Sequence, residues 1–271
     1  MKFAFCTCVQ LGLSCITEAI EAGYTFDLLL TLNDHRAKNK SGRVYLDEIA
    51  GNHNIPLLKI NHINDQEVTE TLIERKIDWL FIIGWSQIAS ISVINACRKG
   101  VIGAHPTLLP VGRGRAAIPW AILKGLDKTG VTFFRMDEGV DTGPVLDHYE
   151  IPIGIEENAT GLYQKVNDAH TQLIKQILPK LVSGEAQGIP QDETKATYWD
   201  GRKPEDGQLN LGMCCEEVHR LVRATTRPYP GAFIYIDGKK HIIWSGRPGR
   251  GGKMELGFID GVYSVTEYEI A

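Results

Sequence analysis

Five short, unbroken apolar runs, spaced along the first hundred residues, constrain this chain more than any other feature. They lie within 2–6 (unbroken from Phe3), within 26–31 (unbroken over Leu28-Leu29-Leu30), and at Ile55-Pro56-Leu57-Leu58, Trp79-Leu80-Phe81-Ile82-Ile83 and 101–104. A strand with one face in water alternates apolar and polar residues, whereas a strand covered on both faces does not. Helix-spaced segments separate the runs. Residues 9–22 carry Leu11, Leu13, Ile16, Ala19 and Ile20 ahead of Gly23, and further helices are expected at 45–53, at 65–76 with Asp65 as cap, and at 91–96. Strands alternating with helices predict an α/β fold: an open, mostly parallel, doubly wound, Rossmann-like sheet. Two later strands, 131–136 and 145–153, flank a polar loop, and 158–181 has the spacing of a long helix.

The texture changes near Gly184. The reading is an N-terminal domain over 1–183, a polar linker over 184–199, and a small β-rich, OB-like C-terminal domain over 200–271. In that last part Asp237-Gly238 is a hairpin-turn signal between two apolar runs. The 271 residues are 43% hydrophobic and 23% charged, ordinary values for a globular chain. The formal net charge of −4 argues against sequence-independent nucleic-acid binding, which depends on neutralising phosphates. No apolar run approaches the roughly 20 residues of a membrane helix. The six cysteines form no C-x-x-C pair, so the chain reads as a cytoplasmic protein with reduced thiols and no metal site.

Residues able to carry chemistry gather in two segments. Gly103-Ala104-His105-Pro106-Thr107-Leu108-Leu109-Pro110 follows the fifth apolar run, at the carboxyl end of an expected parallel strand, where open α/β sheets bind ligands. A histidine there can hold or move a proton near neutral pH. The second segment, Asp137-Glu138-Gly139-Val140-Asp141-Thr142-Gly143, places three carboxylates in five residues, any one of which could orient His105. Arg113 and Arg115, set among Gly112 and Gly114, suit the approach of a phosphate or diphosphate. The G-x-G-x-x-A pattern they create follows a Leu-Leu-Pro loop rather than the first strand, so no dinucleotide site is read from it. Trp85-Ser86-Gln87 could line a slot for a flat ring, and Arg36, Lys38, Lys40 and Arg43 read as a solvated basic loop.

Taken together, these segments resemble the formyltransferases that use 10-formyltetrahydrofolate. The likeness is carried by Gly84-Trp85-Ser86-Gln87-Ile88, by His105-Pro106-Thr107-Leu108-Leu109-Pro110 with Arg113-Gly114-Arg115, and by Gly139-Val140-Asp141-Thr142-Gly143. Ala196-Thr197-Tyr198, Arg202-Lys203-Pro204-Glu205-Asp206-Gly207 and the stretch from Arg223 to Phe233 extend it over most of the chain. The resemblance implies the formyltransferase fold and a catalytic trio of asparagine, histidine and aspartate. Carried over, the histidine is His105 and the aspartate Asp141, while the asparagine position is Gly103. It further implies a folate co-substrate near Trp85, Ser86, Gln87, Ile88, Asp137, Glu138, Gly139 and Val140, and a substrate near Thr107, Arg113, Gly114 and Arg115. The branch most similar is that acting on nucleotide-linked amino sugars, here UDP- or dTDP-linked 4-amino sugars, with no metal. Methionyl-tRNA formylation, hydrolysis of 10-formyltetrahydrofolate and a non-catalytic folate- or nucleotide-binding role are the alternatives. Two further expectations follow: a side chain restored at position 103 is accommodated, and an apolar face of the small domain suits a homodimer.

Overall fold

The computed structural model describes residues 1–37 and 42–271. Lys38 and Lys40 of the expected basic loop lie outside the described residues.

The chain opens with β1 (Phe3–Cys6), α1 (Gln10–Glu21), β2 (Leu28–Leu32), α2 (Asp34–Ala37), α3 (Asp47–Asn52) and β3 (Leu57–Ile60). It continues with α4 (Gln66–Glu74), β4 (Trp79–Ile82), α5 (Ile91–Ala96) and β5 (Gly100–His105). A two-residue strand β6 (Arg113–Gly114), α6 (Ala117–Leu123), β7 (Lys128–Arg135), β8 (Val145–Pro152) and the long α7 (Ala159–Ser183) follow. After the short β9 (Tyr198–Trp199) come α8 (Cys215–Thr225), β10 (Ala232–Ile236), β11 (Lys239–Pro248), β12 (Met254–Phe258) and β13 (Gly261–Ile270).

Seven strands form one sheet in the order β3-β2-β1-β4-β5-β7-β8. The first five are parallel, and β7 runs antiparallel to β5. Every residue of β1, β2 and β4 is buried, as the unbroken apolar runs require. On one face Ala4, Leu28, Leu30, Leu80 and Val101 pack with Val68 and Leu72 of α4 and Val93 and Ile94 of α5. Burying side chains of this size stabilises by roughly 1.5–3 kcal/mol each.

Two compact units result. The first comprises 1–113, 130–151 and 166–198, and the second 114–129, 152–165 and 199–271. The expected linker over 184–199 contributes ordered contacts to the first unit: Ile189 bridges Val145, and a short 3-10 turn spans Glu193–Lys195. The second unit carries an antiparallel sheet in the order β10-β11-β13-β12. Asp237 and Gly238 join β10 to β11 with φ of 49° and 75°, the left-handed pair a two-residue hairpin needs. Val218, Leu221 and Val222 of α8 pack against Ala232, Ile234, Ile243, Leu256, Tyr263 and Val265. One face of this sheet is thus covered by the chain's own helix.

One helix and one side chain escape the sequence pattern. α6 reads Ala-Ile-Pro-Trp-Ala-Ile-Leu, with no polar face to mark it, and its Pro119 is tolerated because it sits in the first turn. Arg43, expected in a solvated basic loop, has a side chain only 5% exposed. It donates to the Thr31 hydroxyl at 2.8 Å and the Leu32 carbonyl at 2.6 Å. No described helix is long and apolar enough to cross a membrane.

Candidate active site

The site grows from the end of β5. Side chains alternate along a strand, so Gly103 and His105 share one face. His105 is buried, with 6% of its surface exposed. Its Nε2–H donates to the Gly112 carbonyl at 2.7 Å, which fixes the ring. Nδ1 then faces Asp141 Oδ2 at 3.4 Å, an ion-pair distance longer than a good hydrogen bond. Of the three carboxylates in the 137–141 loop, Asp141 is the one that meets His105.

Asp141 arrives there by an unusual backbone. Its φ is +57°, a left-handed conformation that aspartate tolerates better than most side chains. Asp137 organises the turn, its Oδ1 accepting from the Gly139 N–H at 3.0 Å and the Thr142 hydroxyl at 2.6 Å. A Cβ at Gly143 would run into the Arg135 carbonyl oxygen, so the loop closes only with glycine there. Glu138, Gly139 and Val140 stand exposed at its tip.

Gly103 pairs with Phe134 across the β5–β7 ladder, as His105 pairs with Thr132. An added Cβ at Gly103 would lie 2.8 Å and 3.0 Å from the Phe134 ring and 3.2 Å from Met136 Cγ. A side chain at this position therefore requires the Phe134 ring and the Met136 side chain to give way. The ring, 3% exposed, already occupies that volume.

Arg113, expected on substrate phosphates, is 0% exposed and fully engaged inside the protein. Nε and Nη2 donate to Gln191 Oε1 at 3.2 and 2.8 Å. Nη1 donates to Glu193 Oε2 and to the Tyr198 hydroxyl, both at 2.8 Å, and Nη2 to Glu193 Oε1 at 2.6 Å. All five guanidinium hydrogens are thereby used, leaving none for a phosphate. The bonds from Arg113 hold the Glu193 carboxyl below its ordinary range and raise the guanidinium further above its own. Gly114 and Arg115 belong to the second unit, where the exposed Arg115 donates its backbone N–H to Trp199 at 3.1 Å.

Thr107 contributes its carbonyl to the Thr132 hydroxyl at 2.7 Å, and the same hydroxyl accepts from the Leu109 N–H at 3.1 Å. The buried Thr107 hydroxyl makes no hydrogen bond among the described residues. Near the end of β4, Trp85 is partly buried and its Nε1–H donates to Gln87 Oε1 at 3.2 Å. Gln87 also accepts from the Ile63 N–H and donates to the Asn61 carbonyl, so its amide braces a neighbouring loop. Ser86 and Ile88 are exposed. Among the described residues, no three His, Cys, Asp or Glu side chains converge as metal ligands would.

Gln191 and Glu193 were not marked by the sequence. They fall in the polar stretch expected to be a linker, and nothing local distinguishes them there.

The formyl transferase domain matches residues 33–178, more than half of the chain, and the formyl transferase C-terminal domain matches 202–261. The chain belongs to the formyl transferase family. Solved structures share the fold at low identity. An N-formyltransferase from Helicobacter canadensis, in complex with folinic acid and dTDP-3-aminofucose, is 16% identical with a TM-score of 0.71, covering 99% of this chain and 100% of that one. Methionyl-tRNA formyltransferase from Clostridium thermocellum is 17% identical with a TM-score of 0.68, covering 100% of this chain and 99% of that one. A HypX variant from Aquifex aeolicus is 18% identical with a TM-score of 0.72; it covers 99% of this formyl transferase, which spans only 44% of HypX. The three structures share this fold to a similar degree.

Proposed function

We propose that this formyl transferase moves the formyl group of 10-formyltetrahydrofolate to the amine of a nucleotide-linked amino sugar. The observation that carries the reading is the buried His105 facing Asp141 at 3.4 Å, at the carboxyl edge of a parallel sheet. The partly buried Trp85, the exposed Ile88 and the exposed tip Glu138, Gly139 and Val140 suit a flat heterocycle on that edge, and are the residues that would hold it. Bound there, the folate supplies a formyl group already activated on nitrogen.

The residues divide the work as follows. The Gly112 carbonyl pins Nε2–H of His105, so the ring meets the reacting groups from its Nδ1 side. A doubly protonated ring places a donor there, and Asp141 compensates the charge. That donor is available to the oxygen that gains negative charge as the amine attacks the formyl carbon. Asp141, 17% exposed, also offers an acceptor for the proton the amine sheds. Collapse of the tetrahedral species then breaks the bond between the formyl carbon and the folate nitrogen, which takes that proton and leaves as tetrahydrofolate. The gap of 3.4 Å leaves the pair free to tighten on a bound substrate. At position 103, Phe134 and Met136 fill the volume from which an amide would otherwise assist.

Support for a sugar nucleotide over transfer RNA comes from charge. Residues 200–271 hold ten Lys or Arg and ten Asp or Glu, a neutral surface ill suited to polyanion binding. The test is a panel of UDP- and dTDP-linked 3-amino and 4-amino sugars incubated with 10-formyltetrahydrofolate, reading a mass gain of about 28 Da for acyl transfer. Parallel arms contain initiator tRNA or no acceptor. Formylation of a sugar nucleotide supports the proposal; formylation of the RNA alone, or folate turnover without acceptor, overturns it.

A further inference from the structure

A second couple, Gln191 and Arg113, holds the backbone beside both members of the His105–Asp141 pair. Gln191 Nε2 donates to the Asp141 carbonyl at 2.8 Å and to the Gly143 carbonyl at 2.7 Å. Those bonds grip the loop on both sides of a turn whose Asp141 backbone is left-handed. Held at that φ, a non-glycine residue relaxes elsewhere unless its neighbours over-determine it. The other end of the same amide, Oε1, accepts from Nε and Nη2 of Arg113.

Arg113 in turn follows Gly112, the residue whose carbonyl receives His105 Nε2–H. Thr197 fastens this segment twice. Its hydroxyl accepts from the Gly112 N–H at 2.8 Å, and its carbonyl accepts from the Arg113 N–H at 2.9 Å. One buried cation and one amide therefore sit between the acceptor that orients the histidine and the loop that presents the aspartate. The guanidinium is planar and forked, so it fixes the amide plane in a way a point charge does not. Glu193 completes the fork from the outside and neutralises the buried charge.

We infer that Gln191 and Arg113 are positioning residues that set the distance and orientation of His105 relative to Asp141. The catalytic part of this inference rests on the proposed formyl transfer; the geometric part does not. Arg113 is thereby a brace for the reacting pair, and the substrate's anionic groups meet other residues.

The test uses the full chain with Gln191→Glu and Gln191→Met. The first keeps the bonds from Arg113 but aims a carboxylate oxygen at two carbonyls, which repel it. The second keeps length and removes every hydrogen bond. With 15N-labelled histidine, the His105 ring resonances of both variants should move in the same direction as in Asp141→Asn, while those of His219 and His241 stay put. In the transfer assay kcat should fall at least tenfold with acceptor KM changed less than about threefold, since a displaced dyad harms the reacting complex rather than binding. Should Gln191→Glu fail to fold, Gln191→Met decides. Unmoved His105 resonances in a folded variant, or an unaltered kcat, overturn the inference. If no acceptor is ever formylated, the resonance arm still decides the positioning role, so the two proposals fail separately.

Discussion

Gly103→Asn is the substitution on which the structure and the family pattern disagree most sharply. An ideal Cβ at Gly103 would lie 2.8 Å from Phe134 Cζ, 3.0 Å from Cε1 and 3.2 Å from Met136 Cγ. The first distance is shorter than Cβ contacts in folded proteins allow, and the ring is buried with 3% exposure, so it cannot swing into water. Overpacking of this kind destabilises by about 1–3 kcal/mol. For a chain of this size that corresponds to a loss of roughly 2–12 °C in Tm. Phe134→Ala by itself opens a cavity and should destabilise by about 3–5 kcal/mol. Combining the two should be better than additive, because asparagine then enters space the ring has vacated; the expected coupling is about 1–3 kcal/mol. Thermal and urea unfolding of the parent, both single variants and the double variant measure it. The double variant should also transfer formyl groups at least tenfold faster than Phe134→Ala, if a restored amide stabilises the developing oxyanion by about 2.7–4 kcal/mol elsewhere achieved by one such donor. A Gly103→Asn protein as stable as the parent, or strictly additive unfolding energies, would refute the steric reasoning.

Three further outcomes are expected. His105→Ala and Asp141→Asn should each lower transfer by about a hundredfold or more while the far-ultraviolet circular dichroism stays unchanged, because asparagine tolerates the left-handed φ at 141; full activity in either variant contradicts the assignment. Gly143→Ala should abolish the loop that presents Asp141, since its methyl meets the Arg135 carbonyl oxygen; wild-type rates would show that the loop tolerates rebuilding. Stability should also depend on His170, which burial holds at a pKa of about 4, with the charge of His105 pushing the same way. An unfolded histidine takes up its proton near 6.5, so between about 6.5 and 4 the unfolded chain binds more protons and stability falls as pH falls. The span corresponds to roughly 3 kcal/mol. His170→Phe should flatten that part of the urea-midpoint profile, and parallel profiles for parent and variant would remove His170 as the cause.

Much of the architecture was legible because it depends on pattern. Unbroken apolar runs such as 79–83 specify strands covered on both faces, and the 3.6-residue spacing from Leu162 to Leu178 specifies the helix that becomes α7. The Asp237-Gly238 turn was legible for the same local reason. α6 was not, because a helix apolar on nearly every side has no periodic contrast to detect. His105 and Asp141 stood out by residue type, although the choice of Asp141 over Asp137 came from family resemblance and not from chemistry visible in the chain.

By itself the sequence determined which segments must be buried, where they turn, and that His105 has three carboxylates, Asp137, Glu138 and Asp141, to choose a partner from. Tertiary structure decided what each polar group does. Arg113 looks like a phosphate ligand among glycines, yet folding brings Gln191, Glu193 and Tyr198 from roughly eighty residues away to use all its donors. Gly103 looks like a vacant place, yet the antiparallel register sets Phe134 against it. Hydrophobic burial follows local periodicity and so can be read along a chain, whereas hydrogen-bond saturation and side-chain volume are settled only by neighbours that meet in space.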